Sequence, residues 1–396
     1  VAHISHLIED RDVTQNDVVD IASAAWWGTL TNVTEKLDGV NIVFSSTSKY
    51  ETRFSRSESD IKKGGMISAV LEAKFAGRDL VRDTFARGSN AICVAARAFT
   101  PLELLEAFES LRLWYSAEII NTRNPNVVAY DGDSIVLHER PVLRCFGESV
   151  LAVVSGQPGA DAVRTVLKRV PDMNDSVSAL KWRVLGPQNV ILQRRSADGP
   201  LDELVRATRS WFGGEKTLQS VLTERARDDL KSYGMSEQLL DASVLRLSEA
   251  KGCPTLTALK ARVPSQVAST LRASDEWVAR QLRPLELAIS DFAVELLNDV
   301  TPSLVADPIA ETKRIRVKLE ESLVLVKNSR NQHAIDYVKP HMEKLRDVSR
   351  FTTPVEGIVF PWKGKLYKLT GAFAPTNAIV GLCRYGRGRL MPPIFG

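Results

Sequence analysis

The sequence predicts an α+β protein built on a β-rich core that is interrupted by an inserted all-α domain. Three observations predict it. Strand-like segments bounded by turn residues cluster before residue 140, a block from 201 to 350 carries Leu, Ala, Glu, Lys and Arg at helical spacing, and strand character returns at residue 355. With 396 residues, 25% charged and 44% hydrophobic, the chain is long enough for two or three domains. The same composition excludes a disordered, collagen-like or disulfide-scaffold protein.

Residues 1–30 read as an N-terminal helical segment, with Ile4, Leu7, Ile8, Val18, Val19, Ile21 and Ala22 as its apolar positions and Thr14 to Asp17 as a helix start. Residues 31–200 hold the first part of the core. Strands are predicted over Val33 to Ser45, where an apolar run follows Gly39, and over Glu51 to Ser57, which alternates in polarity. Leu71 to Phe108 is dominated by helix formers, with Leu102, Leu105 and Phe108 spaced as one helix face after Pro101. Strands return at Leu113 to Ile120, Val127 to Tyr130 and Ser134 to His138, separated by the turn-forming NTRNPN and DGD, and Lys181 to Gln193 adds a further pair. Residues 201–350 form the inserted helical domain, with Pro254, Pro264, Pro284, Pro302 and Pro308 at its breaks. Residues 351–396 complete the core through a hairpin in which Val355 to Phe360 and Leu366 to Thr370 flank a PWKGK turn.

Charge and cysteine content narrow the setting. The net charge of +4 is small, but from Gly357 to Gly396 there is no Asp or Glu while Lys363, Lys365, Lys368, Arg384, Arg387 and Arg389 are basic, so an anionic ligand is favoured there. Cys93, Cys145, Cys253 and Cys383 lie far apart with no CxxC spacing and read as reduced thiols. No apolar run reaches membrane-spanning length, and the opening residues lack a signal-peptide pattern, so a protein of the cytoplasm with no membrane partner is expected. His3, His6, His333 and His341 read as ordinary surface or packing residues, Trp26 and Trp27 as core. The cluster Lys313, Arg314, Arg316, Lys318 reads as a solvated helix face that also suits nucleic acid.

The chemistry concentrates in a few charged residues set among apolar ones. Lys36 stands in EKLDGVN beside Gly39, just ahead of a strand. Glu118 sits inside WYSAEII, Glu356 opens EGIVF, and Lys368 lies within LYKLTG. Glu118, Glu356 and Lys368 each occupy a place where a core strand would carry an apolar side chain, and left unpaired each would cost about 1–3 kcal/mol or more. A ligand or a mutual ion pair must compensate.

In this order the segments resemble the motifs of the covalent nucleotidyltransferase superfamily, which comprises ATP-dependent DNA ligases, RNA ligases and mRNA capping enzymes. The resemblance is strongest to RNA ligases of the double-strand-sealing type. Glu35, Lys36, Gly39 and Asn41 match the Glu-Lys-x-x-Gly-x-Asn motif, and Asp38 also satisfies the KxDG form. SRS at Arg56, AEII at Glu118, EGIVF at Glu356 and YKL at Lys368 resemble the motifs that follow. The match covers residues 31–140 and 354–371. Two departures stand out: SIVLHE offers Val136 and His138 where an aromatic often stacks on adenine, and Lys365 and Lys368 are three apart where the family's two lysines are separated by one residue. The whole chain also resembles phage proteins with a HIxHLED-like start and a YKLTGxFAPxN segment, which implies a phage-infected host cell.

The resemblance implies a nucleotidyltransferase (ATP-grasp-like ligase) core and an ATP- and Mg²⁺-dependent ligase. Lys36 would attack the α-phosphorus of ATP, which requires a deprotonated amine, and Arg56 and Lys368 would lower its pKa and neutralise phosphates. Glu118 would hold ribose hydroxyls, with Glu35, Gly39, Asn41 and His138 completing the nucleotide site. Glu356 would position a metal ion or the attacking lysine. The partner implied is a polynucleotide with 5′-phosphate and 3′-hydroxyl ends, RNA over DNA on the strength of Asn41 and of the short chain after Gly371. The alternative is a non-catalytic nucleic-acid-binding or virion-associated protein that keeps the scaffold.

Overall fold

Two β-sheets organise the chain, each backed by helices. The structure, a computed structural model, describes residues 4–124, 127–146, 150–154, 156–196, 199–329, 332–344, 354–371 and 373–385. The fold is α+β, and with 57% helix against 15% strand the helices do more than cover a β-rich core.

In chain order, a short strand β1 (Ser5–His6) precedes α1 (Gln15–Trp26), β2 (Thr34–Lys36), β3 (Val40–Ser46) and β4 (Thr52–Ser55). Helices α2 (Glu58–Lys62), α3 (Ser68–Ala73), α4 (Asp79–Ala95) and α5 (Pro101–Phe108) lead to β5 (Leu113–Ile120), β6 (Ser134–Phe146) and β7 (Val150–Val154). Then come α6 (Gly156–Leu167), α7 (Val170–Val177) and β8 (Arg183–Leu185). The helical block runs through α8 (Gly199–Phe212), α9 (Leu218–Leu230), α10 (Glu237–Leu247), α11 (Leu256–Leu259), α12 (Ser265–Arg272), α13 (Ser274–Leu304), α14 (Pro308–Asn328) and α15 (Gln332–Lys344). A hairpin of β9 (Gly357–Trp362) and β10 (Lys365–Leu369) and the helix α16 (Phe373–Tyr385) follow.

One sheet has the order β1-β10-β9-β2, and the other β4-β3-β5-β6-β7 with β8 parallel to β6. The chain passes from the first sheet to the second within EKLDGVN: β2 ends at Lys36 and β3 begins at Val40. The β9–β10 hairpin turns on Lys363 and Gly364, both at positive φ, the conformation a two-residue turn needs to match strand twist.

Local signals account for many element ends. Thr14 accepts from the Asp17 amide at 3.1 Å while Asp17 accepts from the Thr14 amide at 3.1 Å, closing a reciprocal cap on α1. Thr100 and Glu103 do the same for α5, with Pro101 in its first turn.

Several expectations are corrected. Val127 to Tyr130 is not a strand, because the amides of Val127 and Val128 donate to the buried carboxylate of Asp38 at 2.6 and 2.8 Å instead of to a neighbouring strand. Lys181 to Gln193 supplies one strand, β8. The residues after it lie against β2, where Gln188 accepts from the Glu35 amide at 2.8 Å. Pro284 and Pro302 lie inside the 31-residue α13, where burial of Trp277, Leu285, Phe292 and Leu297 outweighs the roughly 3 kcal/mol that an internal proline costs. Trp27 is 46% exposed, while Trp26 packs on Phe292 with ring centroids 5.5 Å apart.

The helical block does not stand apart from the core. One apolar cluster joins Leu7, Ile21 and Trp26, the helical residues Leu204, Trp211, Leu222 and Phe292, and the hairpin residues Ile358, Phe360 and Leu369. A second cluster packs Ile42, Phe44, Tyr115 and Ile119 of the larger sheet on Phe85 and Phe108. No helix among the described residues is long and apolar enough to cross a membrane, and the four cysteines are free.

Candidate functional site

Alternation along β5 builds one wall of the site. Leu113, Tyr115, Ala117 and Ile119 point into the second core, so Ser116, Glu118 and Ile120 face the other way. Asn41 on β3 lies directly opposite Glu118, and Val136 on β6 does so from the other side. His138, two residues on, shares that face, and its Nε2 lies 3.3 Å from Glu118 Oε2. Asn41 Nδ2 donates to Ser116 Oγ at 2.9 Å, so its side chain is committed to the sheet.

Lys36 comes from the other sheet. β2 pairs with β9 so that Lys36 stands opposite Gly357, which brings its Nζ to 2.6 Å from Glu356 Oε1. Gly357 sits there because a Cβ would lie 2.3 Å from the Leu369 carbonyl oxygen. Gly39 is needed for a similar reason: a Cβ would lie 2.6 Å from Glu118 Cγ and 2.8 Å from the Ile119 carbonyl oxygen. Its role is to let the EKLDGVN crossover approach β5.

Two further cations act on the carboxylates of this site. Arg56 donates to the Asn41 carbonyl, stacks over the Phe85 ring at 5.1 Å and acts electrostatically on Glu118. Lys368 on β10 is half-buried, and burial lowers its pKa; the ammonium of Lys36 adds to the shift, while Glu9 and Glu356 oppose it. Residues 36, 56, 118, 138, 356 and 368 thus share one region although they span most of the chain. Partial exposure of Lys36, His138 and Glu356 leaves that region open to a ligand.

The charge state of Lys36 differs from the expectation. Burial alone would lower its pKa, but Glu356, with smaller contributions from Glu118 and Asp38, more than offsets this and raises it. Whichever partner holds the proton in a contact of 2.6 Å, the lysine lone pair is engaged. Attack on an electrophile therefore requires Glu356 to be drawn off.

Glu35, on the opposite face of β2 from Lys36, is pushed up to about 7 by burial and has no ion-pair partner among the described residues. Asp38 is structural: it holds the 127–128 amides, and its own amide donates to Tyr130 Oη at 2.9 Å. Tyr130 was not singled out by sequence because it lies in a loop without periodicity. Its place is set from outside that loop, where Glu311 accepts from the Ala129 amide at 2.9 Å and Arg314 donates to the Val127 carbonyl.

The basic C-terminal end is partly neutralised. Lys365 pairs with Asp10 at 2.7 Å and Lys363 with Asp17 at 2.6 Å, while Arg387 and Arg389 lie outside the described residues. His6 and His341, read as ordinary residues, line a cavity of about 220 Å³ with Glu9, Glu286 and Lys368. Among the described residues no three His, Cys, Asp or Glu side chains form a metal cage. Mg²⁺ needs only one or two carboxylates when phosphate and water oxygens complete its shell, and the partly exposed Glu356 fits that requirement. No protein-family model matches the chain, and neither a curated protein nor a solved structure does.

Proposed function

We propose that the chain is an ATP-dependent polynucleotide ligase with a nucleotidyltransferase core, acting through a lysyl-AMP adduct at Lys36. The observation that carries the reading is the gathering of Glu356, Glu118, Arg56 and Lys368 around Lys36 where two sheets meet. Structural ion pairs need one partner each; this lysine has three carboxylates acting on it, Lys368 beside it, and shares Glu118 with Arg56.

In this reading the α-phosphate of ATP lies by Lys36, with Arg56 and Lys368 balancing its charge. Glu118 accepts from the ribose hydroxyls, and His138 packs near the base. A divalent cation bound at Glu356 would neutralise phosphate charge. Glu356 takes the proton of the Lys36 ammonium across their 2.6 Å contact and then turns away, which leaves the lone pair of Lys36 free. Nζ then bonds to phosphorus as the phosphorus–oxygen bond to pyrophosphate breaks. Transfer of AMP to a 5′-phosphate and its displacement by a 3′-hydroxyl seal the strand.

The closed Lys36–Glu356 pair also favours a second reading, a nucleic-acid-binding or virion-associated protein in which that pair is purely structural. Single-turnover sealing of matched nicks, RNA or DNA on the 3′-hydroxyl side, separates the two. The proposal expects sealing, faster with RNA. Equal rates would remove the RNA preference, and no sealing of either nick would favour the binding protein.

A further inference from the structure

We infer that a groove between the C-terminal end of α13 and the first half of α14 holds the sugar–phosphate backbone of the polynucleotide. The inference deepens the ligase reading and rests on it for the nature of the occupant. The groove encloses about 710 Å³, within the range of ligand sites. Its charged lining residues are Lys313 and Arg316, and no carboxylate lines it. An anion is therefore the ligand it suits, with the lysine acting as a point charge and the guanidinium as a fork for phosphate oxygens.

Helical spacing puts these groups in one row. Ile309, Lys313, Arg316 and Val317 recur at three- and four-residue steps, so they share a face of α14, while Ile315 and Leu319 are buried on another. Ile309 is 83% exposed and Val317 45% exposed. Two fixed positive charges flanked by apolar contacts suit a strand that carries phosphates beside sugars and bases. Arg314 does not line the groove; it donates to Glu311 and to the Val127 carbonyl.

The groove's wall is joined through the chain to the ion-pair partner of the reactive lysine. Pro354 forms part of its wall, and Glu356 is two residues further on. At most about 7 Å of backbone separates the two, so one short stretch of chain carries both the groove's wall and the partner of Lys36.

Fluorescence anisotropy of the full-length protein with a labelled single-stranded RNA, without ATP, tests this between about 50 and about 200 mM salt. Each phosphate contact on a single strand contributes about 0.7 to the slope of log K on log salt. Lys313→Gln together with Arg316→Gln should lower that slope by about 1.4, so the wild-type protein loses about sevenfold more affinity than the variant over the range. Lys313→Gln alone, an exposed position whose change leaves packing intact, should lower it by about 0.7, or about 2.6-fold. Unchanged slopes in both variants overturn the inference. Polyglutamate binding that depends on these two residues, with RNA binding that does not, overturns it in favour of an acidic peptide. Because ATP is absent, binding with the expected slopes by a protein that never takes up AMP would leave the groove assigned and sink the ligase reading instead.

Discussion

At the scale of single residues, the account turns on what Glu356 does to Lys36. Sequence reasoning found Lys36 through its place in EKLDGVN beside Gly39, and found Glu356, Glu118 and Lys368 because a charged side chain set in an apolar strand is conspicuous. It assigned the wrong sign to the electrostatics, since strand pairing alone decides whether Lys36 meets a carboxylate or a cation first, and β2 pairs with β9. The sign has a kinetic consequence. Glu356 raises the pKa of Lys36, so adduct formation in the wild-type protein should accelerate with pH through the alkaline range. Glu356→Gln removes the largest raising interaction and leaves burial, which lowers the pKa, so the inflection should move to lower pH even as the absolute rate falls. Single-turnover adduct formation from pH 6 to pH 10 measures it. An unmoved inflection, or one at higher pH, would contradict the assignment.

At the scale of elements, the crossover from β2 to β3 and the start of α1 are the most informative. Gly39→Ala places a methyl group against Glu118 and the Ile119 carbonyl, and overpacking of this kind costs about 1–3 kcal/mol. A lower denaturant midpoint with unchanged slope is the expected result, and wild-type stability would show that the crossover is looser than it looks. Asp17 caps α1 and accepts from Trp362 Nε1 at 3.1 Å. Burial opposes its ionisation, but hydrogen bonds from Lys363, Thr14 and Trp362 prevail and hold its pKa at about 2. A depressed carboxyl contributes stability above its unfolded pKa of about 3.9, and that contribution is lost as pH falls toward 2. Asp17→Ala should therefore cost about 1 kcal/mol at neutral pH, a difference that shrinks between about pH 4 and pH 2 in acid-unfolding curves. A constant difference across that window would mean the loss is one of packing. Thr14, Pro101 and the Lys363-Gly364 turn were legible because caps and turns are local. The Val127 to Tyr130 segment was not, because its partners Asp38, Glu311 and Arg314 come from distant parts of the chain.

At the scale of the whole molecule, the α+β class was legible from the change in composition near residue 200, whereas the sharing of one core was not. Periodicity shows that a helix has an apolar face but not which element covers it, and here the helical block covers α1 and the hairpin. Removing residues 199–344 would expose Ile21, Trp26, Ile358 and Phe360 together while leaving the second core whole, so the remainder should melt well below the full-length chain by calorimetry. An unchanged melting temperature in that fragment would restore the block to the status of a separate domain. The ligase proposal requires the two sheets to present one lysine to a nucleotide. Intact-mass and peptide-mapping mass spectrometry of the full-length protein after incubation with ATP and Mg²⁺ tests it most directly. The account predicts a mass increase of one adenylate, located on Lys36, labile in acid as a phosphorus–nitrogen bond should be, and absent from Lys36→Ala. No adduct, or an adduct that survives Lys36→Ala, would contradict it.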